Sequence, residues 1–522
     1  MPASRIPRHA RSSFRRAAPV ASTLAAVFCL LLAASPAAEA AKRDNSVRFA
    51  ADQAPENIDP YFNNVRVGVI IGQQVWDTLI YRDPRTQEYK GQLARAWNWA
   101  DDKTLEVELR EGIKFHNGEA FDADDVVYTL NFVARPENGV ITQTNVNWIA
   151  SAEKVGPLKV RIRTKNPFPA AIEYLAGPIV IHPNEYYEKA GPKGMNIAAV
   201  GSGPFRVVEH SPGKYLRMER NKDYFKDSPK PQPRIDKLEI RFIPDRQTQA
   251  AEVVSGGLDL IMGTPNDQAE QMKSVPNLQV KSGETMRIVF VNFNTREETP
   301  LPALRDIRVR QAIALAIDRP TMVKALVGEG GRVLNVICYP SQFGCSDAGV
   351  PTFKYDVARA KALMAEAGHP NGFDVDLYAY REREQSEALV NYLRAIGIRA
   401  NLRFMQYAAM REQVRANKAA LTHQTWGSFS VNDVSASTPY YFKFGPDDIN
   451  RDPAVRDLLQ KGDSVVDPAE RKAAYAAALK MIQEKFLAVP LYALVSHYVA
   501  DKGLQFETYP DEMPRFWEMR WQ

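Results

Sequence analysis

The sequence predicts an α/β protein of more than one domain. Three observations lead there. Runs of alternating apolar and polar residues are interleaved with runs of helical periodicity from Ser46 to Val495. Such alternation is what helices packed over a sheet through crossover connections require. A dense breaker cluster, Val200-Gly201-Ser202-Gly203-Pro204, interrupts the chain, and the roughly 480 residues beyond the leader described next exceed what one core holds.

The first forty residues predict a cleavable secretory leader. Arg5, Arg8, Arg11, Arg15 and Arg16 form a basic head, Leu24 to Ala34 an apolar run, and Ala38-Glu39-Ala40 an A-x-A cleavage site. The apolar run is shorter than the ~20 residues a spanning helix needs. Cys29 sits inside it, in a context unlike a lipoprotein cleavage site, and no later stretch reaches spanning length. The leader holds five arginines and one glutamate, most of the chain's net +5, so the remainder is close to neutral. With no basic stripe interleaved with aromatics, nucleic-acid binding is not expected.

Ser46 to Ala51 reads as a strand, broken by Pro55 to Pro60. Val65 to Leu79 has helical spacing. Leu105 to Leu109 and Val160 to Thr164 alternate as strands. Between them Asp122 is placed to cap a helix through Val126, Leu130 and Val133, stopped at Pro136. Strands follow at Phe205 to Val208, Tyr215 to Arg220 and Leu238 to Ile243, then a helix from Gln247 to Ser255 and a strand from Ile288 to Asn292. Asp227 to Arg234 is proline-rich and predicts an exposed connection. Further on, Ile307 to Ile317, the run after Asp356 to Gly368, and Ser386 to Ile396 are helical. Arg399 to Phe404 is a strand. Asp467-Pro468-Ala469-Glu470 opens another helix with cap, proline and acid in order. Val489 to Val495 is a buried strand.

Two cysteines follow the leader, Cys338 and Cys345, in a Gly/Pro-rich loop. In an oxidising compartment that proximity predicts a small disulfide; two free thiols are the alternative. Neither a G-x-S-x-G elbow, an H-E-x-x-H pair nor a phosphate loop is present. Ser151-Ala152-Glu153-Lys154 fits S-x-x-K without that motif's companions. His116, His182, His210, His369, His423 and His497 show no helical ligand spacing, so no metal or other cofactor is expected.

Several stretches resemble the solute-binding proteins of bacterial ABC importers that take dipeptides, oligopeptides, nickel or opines, the extracellular solute-binding family 5. Gln92-Leu93-Ala94, Trp97, Leu109-Arg110, Gly112, Phe115-His116-Asn117-Gly118 and Phe121 to Val126 follow its long signature. Gly201 to Phe205, Arg220-Asn221 with Tyr224-Phe225, Ser255 to Asp259, Val309-Arg310-Gln311-Ala312 with Ala316 to Arg319, and Ala360-Lys361 to Gly368 follow its later blocks in order. Residue by residue, Gly201 and Gly203 are expected to supply positive φ. His116 is expected as a turn or packing residue, and Arg308, Arg310 and Asp318 as surface pairs.

The resemblance implies a type II periplasmic-binding-protein-like fold: two lobes joined by a hinge, with an additional third domain. It implies residues 41–75, 202–287 and 497–522 as the core of lobe I, 76–201 as the extra domain and 288–496 as lobe II. It implies a non-enzymatic monomer in the periplasm that closes on a peptide or peptide-like solute and delivers it to membrane permease subunits driven by cytoplasmic ATPases. An opine, a glycoside or chelated nickel is the alternative ligand, and a hydrolase a remote one. By position, Asn64, Val65 and Arg66 line the ligand from one side. Trp426, Gly427, Phe429 and Asp433 line it from the other, with Arg381 at a carboxylate-binding position. Peptide binders of the family place the amine-holding aspartate where this chain has Phe429, with Asp433 the nearest acid.

Overall fold

The computed structural model describes residues 41–63, 65–427 and 431–522. The leader reading, Asn64 and Phe429 lie outside the described residues.

An eleven-stranded mixed sheet runs through the molecule. From one edge its order is Arg399–Phe404, Asp374–Ala379, Leu421–Trp426, Leu278–Phe293, Ala488–Asp501, Leu260–Met262, Ser46–Ala51, Lys237–Phe242, Tyr215–Arg220 and Phe205–Ser211. The short Arg332–Val333 lies on Ala488–Asp501. Leu278–Phe293 and Ala488–Asp501 are long because they traverse the sheet together, antiparallel. Their register breaks between Glu284 and Ile288. An extra residue or two at such a break unpairs the ladder and sharpens the local bend.

The buried clusters separate at that break. One holds Val47, Phe49, Trp76, Leu105, Leu216 and Trp517. Two others, around Phe293, Ile313, Leu377 and Tyr492 and around Phe290, Phe442 and Tyr475, lie on the other side. Val431 is the exception: it comes from the stretch between the two long strands, whose other buried residues fill the second set, yet it is buried in the first cluster.

A separate four-stranded antiparallel sheet, in the order Ala94–Trp99, Thr104–Leu109, Lys159–Thr164, Ile149–Gly156, is covered by the helix Ala123–Ala134. Asp122 caps that helix through a capping box with Asp125, whose carboxylate accepts back from the Asp122 amide at 2.9 Å. The helix that follows Val65 is shorter than its periodicity predicts and ends at Val75. Trp76 leaves it in extended conformation, with Nε1 donating to the Val200 carbonyl at 2.9 Å.

Two expectations are corrected. Gly201 and Gly203 do not have positive φ. They are glycine because a Cβ on Gly201 would stand 2.0 Å from the Val75 carbonyl oxygen, and one on Gly203 2.5 Å from that of Gln74. His116 completes the clip, its Nδ1 accepting from the Gly201 amide at 3.2 Å and its Nε2 bonding the Gly203 carbonyl at 3.0 Å. Burial lowers its pKa to about 4, so the ring is neutral. Arg310 is not a surface partner. It is buried and donates to the carbonyls of Leu304, Arg305, Lys485 and Phe486, tying the helix Ile307–Ala316 to the turn after Glu484. Only Arg308 makes an exposed pair, with Asp306, and Asp318 caps the turn at Thr321.

Candidate functional site

The site is assembled where the two long strands break register. On one side Asp59 anchors the approach. It accepts from the Tyr61 amide at 3.1 Å, from the Tyr187 hydroxyl at 2.7 Å, and lies 3.2 Å from His182 Nε2. The Asn63 side chain then holds Val65, donating to its carbonyl at 2.8 Å. This fixes the start of the helix Arg66–Val75, and a Cβ on Gly68 would stand 1.9 Å from the Asn63 amide nitrogen and displace that side chain.

Arg66, the first residue of that helix, turns to the C-terminal segment. Its guanidinium donates to the Asp511 carbonyl at 2.9 Å and to Glu512 Oε2 at 3.0 Å. Glu512 sits in the left-handed region at φ 57°, a conformation held by its surroundings for a non-glycine residue. Arg287, inside the register break, donates to the same Oε2 at 3.2 Å. Gly427 lies against Arg287, and a Cβ there would stand 3.0 Å from the guanidinium. Arg381 approaches from the other side, half exposed and paired with Glu382 at 3.1 Å.

Burial raises the pKa of the Glu512 carboxyl, but Arg287, Arg66 and Arg381 outweigh it and hold the group below its usual range. Burial lowers Arg66 and the Glu512 charge only partly restores it, while for Arg287 the neighbouring acids prevail over burial. Both remain guanidinium ions at any working pH. Arg66, Arg287 and Arg381 thus all act on the Glu512 carboxylate, while Asp511 also acts on Arg66 and Glu382 on Arg287 and Arg381.

Beside this cluster, a narrow cavity of about 80 Å³ follows the helix Arg66–Val75 between Asn63, Val69, Gln73 and Val180. A second hollow of about 40 Å³ shares Val69, Gln73 and Val180 and reaches Asp511 and Arg515. The first is lined by the first half of the chain alone, the second also by the C-terminal segment.

Trp426 is stacked on Tyr440 with ring centres 4.5 Å apart and donates to the Ala436 carbonyl at 2.8 Å, so its ring is fixed as a wall. Asp433 faces elsewhere. Both its oxygens accept from Arg471, at 2.8 and 2.9 Å, in a pair almost wholly shielded from water. Of the residues singled out in the sequence, Arg66, Arg381 and Gly427 thus meet around Arg287 and Glu512, with Val65 beside them, while Asp433 does not join them. Arg287 and Glu512 carried no motif. Glu512 is 446 residues from Arg66, and only the fold brings them together.

Cys338 and Cys345 are joined, with S–S 2.02 Å and Cα–Cα 5.8 Å. The S-x-x-K serine and lysine lie on the strand Ile149–Gly156, and Lys154 pairs with Asp124 at 2.6 Å. Among the described residues no three His, Cys, Asp or Glu side chains group as metal ligands, and no helix is long and apolar enough to cross a membrane.

Residues 88–448 match the family model described as bacterial extracellular solute-binding proteins, family 5. The chain is 25% identical over 480 residues to the glutathione-binding protein GsiB of Escherichia coli K12, across 86% of this chain and 91% of that one. AgaA of A. tumefaciens R10, solved with agropinic acid, superposes with TM-score 0.71 at 25% identity over 91% of this chain and 99% of that one. HbpA2 of Haemophilus parasuis superposes with TM-score 0.79 at 24% identity over 91% and 100%.

Proposed function

The chain belongs to the bacterial extracellular solute-binding proteins of family 5, and from that premise we propose that its solute is peptide-like and carries at least one carboxylate. The carrying observation is the gathering of guanidinium groups at the register break. Arg66, Arg287 and Arg381 converge on Glu512, which bonds both Arg66 and Arg287. Guanidinium groups held in fixed positions and partly desolvated favour a carboxylate in a way that water does not.

In this reading residues 41–75, 202–287 and 497–522 form lobe I, 76–201 the extra domain and 288–496 lobe II. Val65, Arg66, Arg381, Trp426 and Gly427 face the solute. Closure retains the solute because the closed state makes contacts the open state lacks. The protein is an unassociated monomer of the periplasm, exported by the leader at residues 1–40. It makes or breaks no bond in the solute and hands it to the permease subunits of an ABC importer.

The position of Phe429 favours a second reading within the same class, an acidic non-peptide such as an opine. No acid stands at the family's amine-holding position, and Asp433 is matched to Arg471. AgaA, the relative solved with agropinic acid, is in keeping with it.

Thermal-shift titration decides between them. Short peptides, their C-terminal amides and opines are compared on the wild type and on Arg66→Met and Arg287→Met. A carboxylate ligand is expected to stabilise the wild type, its amide to bind at least tenfold more weakly, and each variant to lose tenfold to a hundredfold in affinity, as for one charge-assisted pair of about 1.5–3 kcal/mol. Equal binding of acids and amides would remove the proposal.

A further inference from the structure

Three consecutive residues after the ligand-facing Trp426-Gly427 segment point to three different bodies. Val431 is buried in the hydrophobic cluster of the first half of the chain. Asp433 is paired with Arg471 on the helix Pro468–Glu484. Asn432, between them, is buried and bonded on all sides.

Its backbone amide donates to Glu173 Oε1 at 2.6 Å, and its side-chain amide donates to Gln87 Oε1 at 2.8 Å and to the Ser341 carbonyl at 2.9 Å. Its Oδ1 accepts from the Ser341 hydroxyl at 3.0 Å. The receiving groups on the far side are themselves built in. Glu173 is 2% exposed, accepts from the Tyr89 hydroxyl at 2.8 Å and pairs with Arg82 at 3.1 Å. Gln87 sits at φ 64°, in the left-handed region, and its Oε1 also accepts from Arg82 at 2.6 Å. On the near side, Phe343 pairs with the segment in a short parallel ladder, donating to the Asn432 carbonyl at 2.9 Å and accepting from the Val434 amide at 3.1 Å. Ser341 and Phe343 lie inside the ring closed by Cys338 and Cys345.

We infer that Asn432 is a closing latch: it fastens the ligand-facing segment of lobe II to Glu173 and Gln87 of the extra domain, and that fastening holds the two lobes together independently of the solute. The inference rests on the two-lobe reading above. The acceptors face Asn432 from one body, while the donors and the disulfide-closed loop belong to the other, so every bond to Glu173 and Gln87 must break when the lobes part. A contact made only in the closed state shifts the opening equilibrium by its whole differential strength. Glu173 is a buried carboxylate with its bonds filled, so exchanging Asn432 for water is unfavourable on that side as well. Asn432 is a positioning residue. It touches neither Arg66 nor Arg287, and its loss weakens the hold on every solute by one factor.

Small-angle scattering of the full-length mature protein, as purified, tests this on the wild type, Asn432→Ala, Asn432→Asp, Gln87→Ala and Arg66→Ala. Asn432→Asp replaces the donating side-chain amide by a carboxylate facing the Gln87 Oε1 and Ser341 carbonyl oxygens. Gln87→Ala, on a hairpin turn, removes one latch bond where folding is least at risk. The wild type and Arg66→Ala are expected to share one compact profile. The three latch variants are expected to show a larger radius of gyration at unchanged helix content, and the amide at position 432 to exchange about tenfold faster in them. Latch variants as compact as the wild type, or a wild type already as extended as they are, would overturn the latch. So would an Arg66→Ala protein that opens as far as they do, since loss of solute alone would then explain the change. A compact Arg66→Ala that still binds peptide counts against the proposed solute site and leaves the latch standing.

Discussion

Glu512 shows how much a single residue can owe to chain distance. Its left-handed φ of 57° gives no signal in the sequence, yet that conformation aims its carboxylate between Arg66 and Arg287. Gly201 carries a different lesson. Its motif was legible, but the reason for glycine was not: the limit is the Val75 carbonyl, 2.0 Å from where a Cβ would lie. Gly201→Ala is therefore expected to destabilise the protein by about 2–4 kcal/mol, because backbone must move to relieve backbone. Chemical denaturation checks this, and a loss below 1 kcal/mol would contradict it.

His423 makes a prediction of pH dependence. Its ring is buried, Nδ1 lies 2.8 Å from the Ser386 hydroxyl and Nε2 is without a partner, and burial lowers its pKa to about 4. The folded protein thus binds its proton less readily than the unfolded chain, whose histidine titrates near 6.5. Its contribution is complete above about pH 6.5 and is lost as pH falls towards 4, by at most about 3 kcal/mol. The difference in stability between wild type and His423→Gln should narrow by that order over this interval, and a pH-independent difference would refute the assignment.

Among the elements, the strands and helices that sequence patterning could reach were those with local causes. Asp122 with Asp125, and Asp467 with Pro468, set helix starts that reappear at Ala123 and Pro468. Strand Tyr215–Arg220 was visible in its alternation. The periodicity after Val65 overran, because apolar Trp76 and Leu79 continue the pattern while leaving the helix to pack. The long reach of Leu278–Phe293 was not visible, since its first half is mixed in polarity where it leaves one body for the other. Arg310 looked like a surface charge for the same reason: four carbonyl acceptors at two helix ends have no signature in sequence.

The ring closed by Cys338 and Cys345 belongs to this scale. In the chain-entropy account a loop of this size contributes about 2.5 kcal/mol, and here its residues also bond the segment that carries Asn432. The Cys338→Ala/Cys345→Ala double variant should lose about that much stability in calorimetry. No loss would mean the loop keeps its form without the bond.

Taken whole, the molecule is two sets of buried clusters joined by paired strands that break register at Glu284 to Ile288, with three arginines gathered on Glu512 at the break. The ordered signature blocks made the family and fold legible from sequence. The cluster at the register break was only half legible: position drew attention to Arg66 and Arg381, but Arg287, Glu512, Asn432 and Glu173 depend on contacts spanning the chain.

Native mass spectrometry of the purified mature protein, with release and identification of whatever it carries, tests the central claim most directly. The account predicts a non-covalent guest bearing a carboxylate, released unaltered and displaced on Arg66→Met. A guest without an acidic group, or one recovered chemically changed after incubation with the protein, would contradict it.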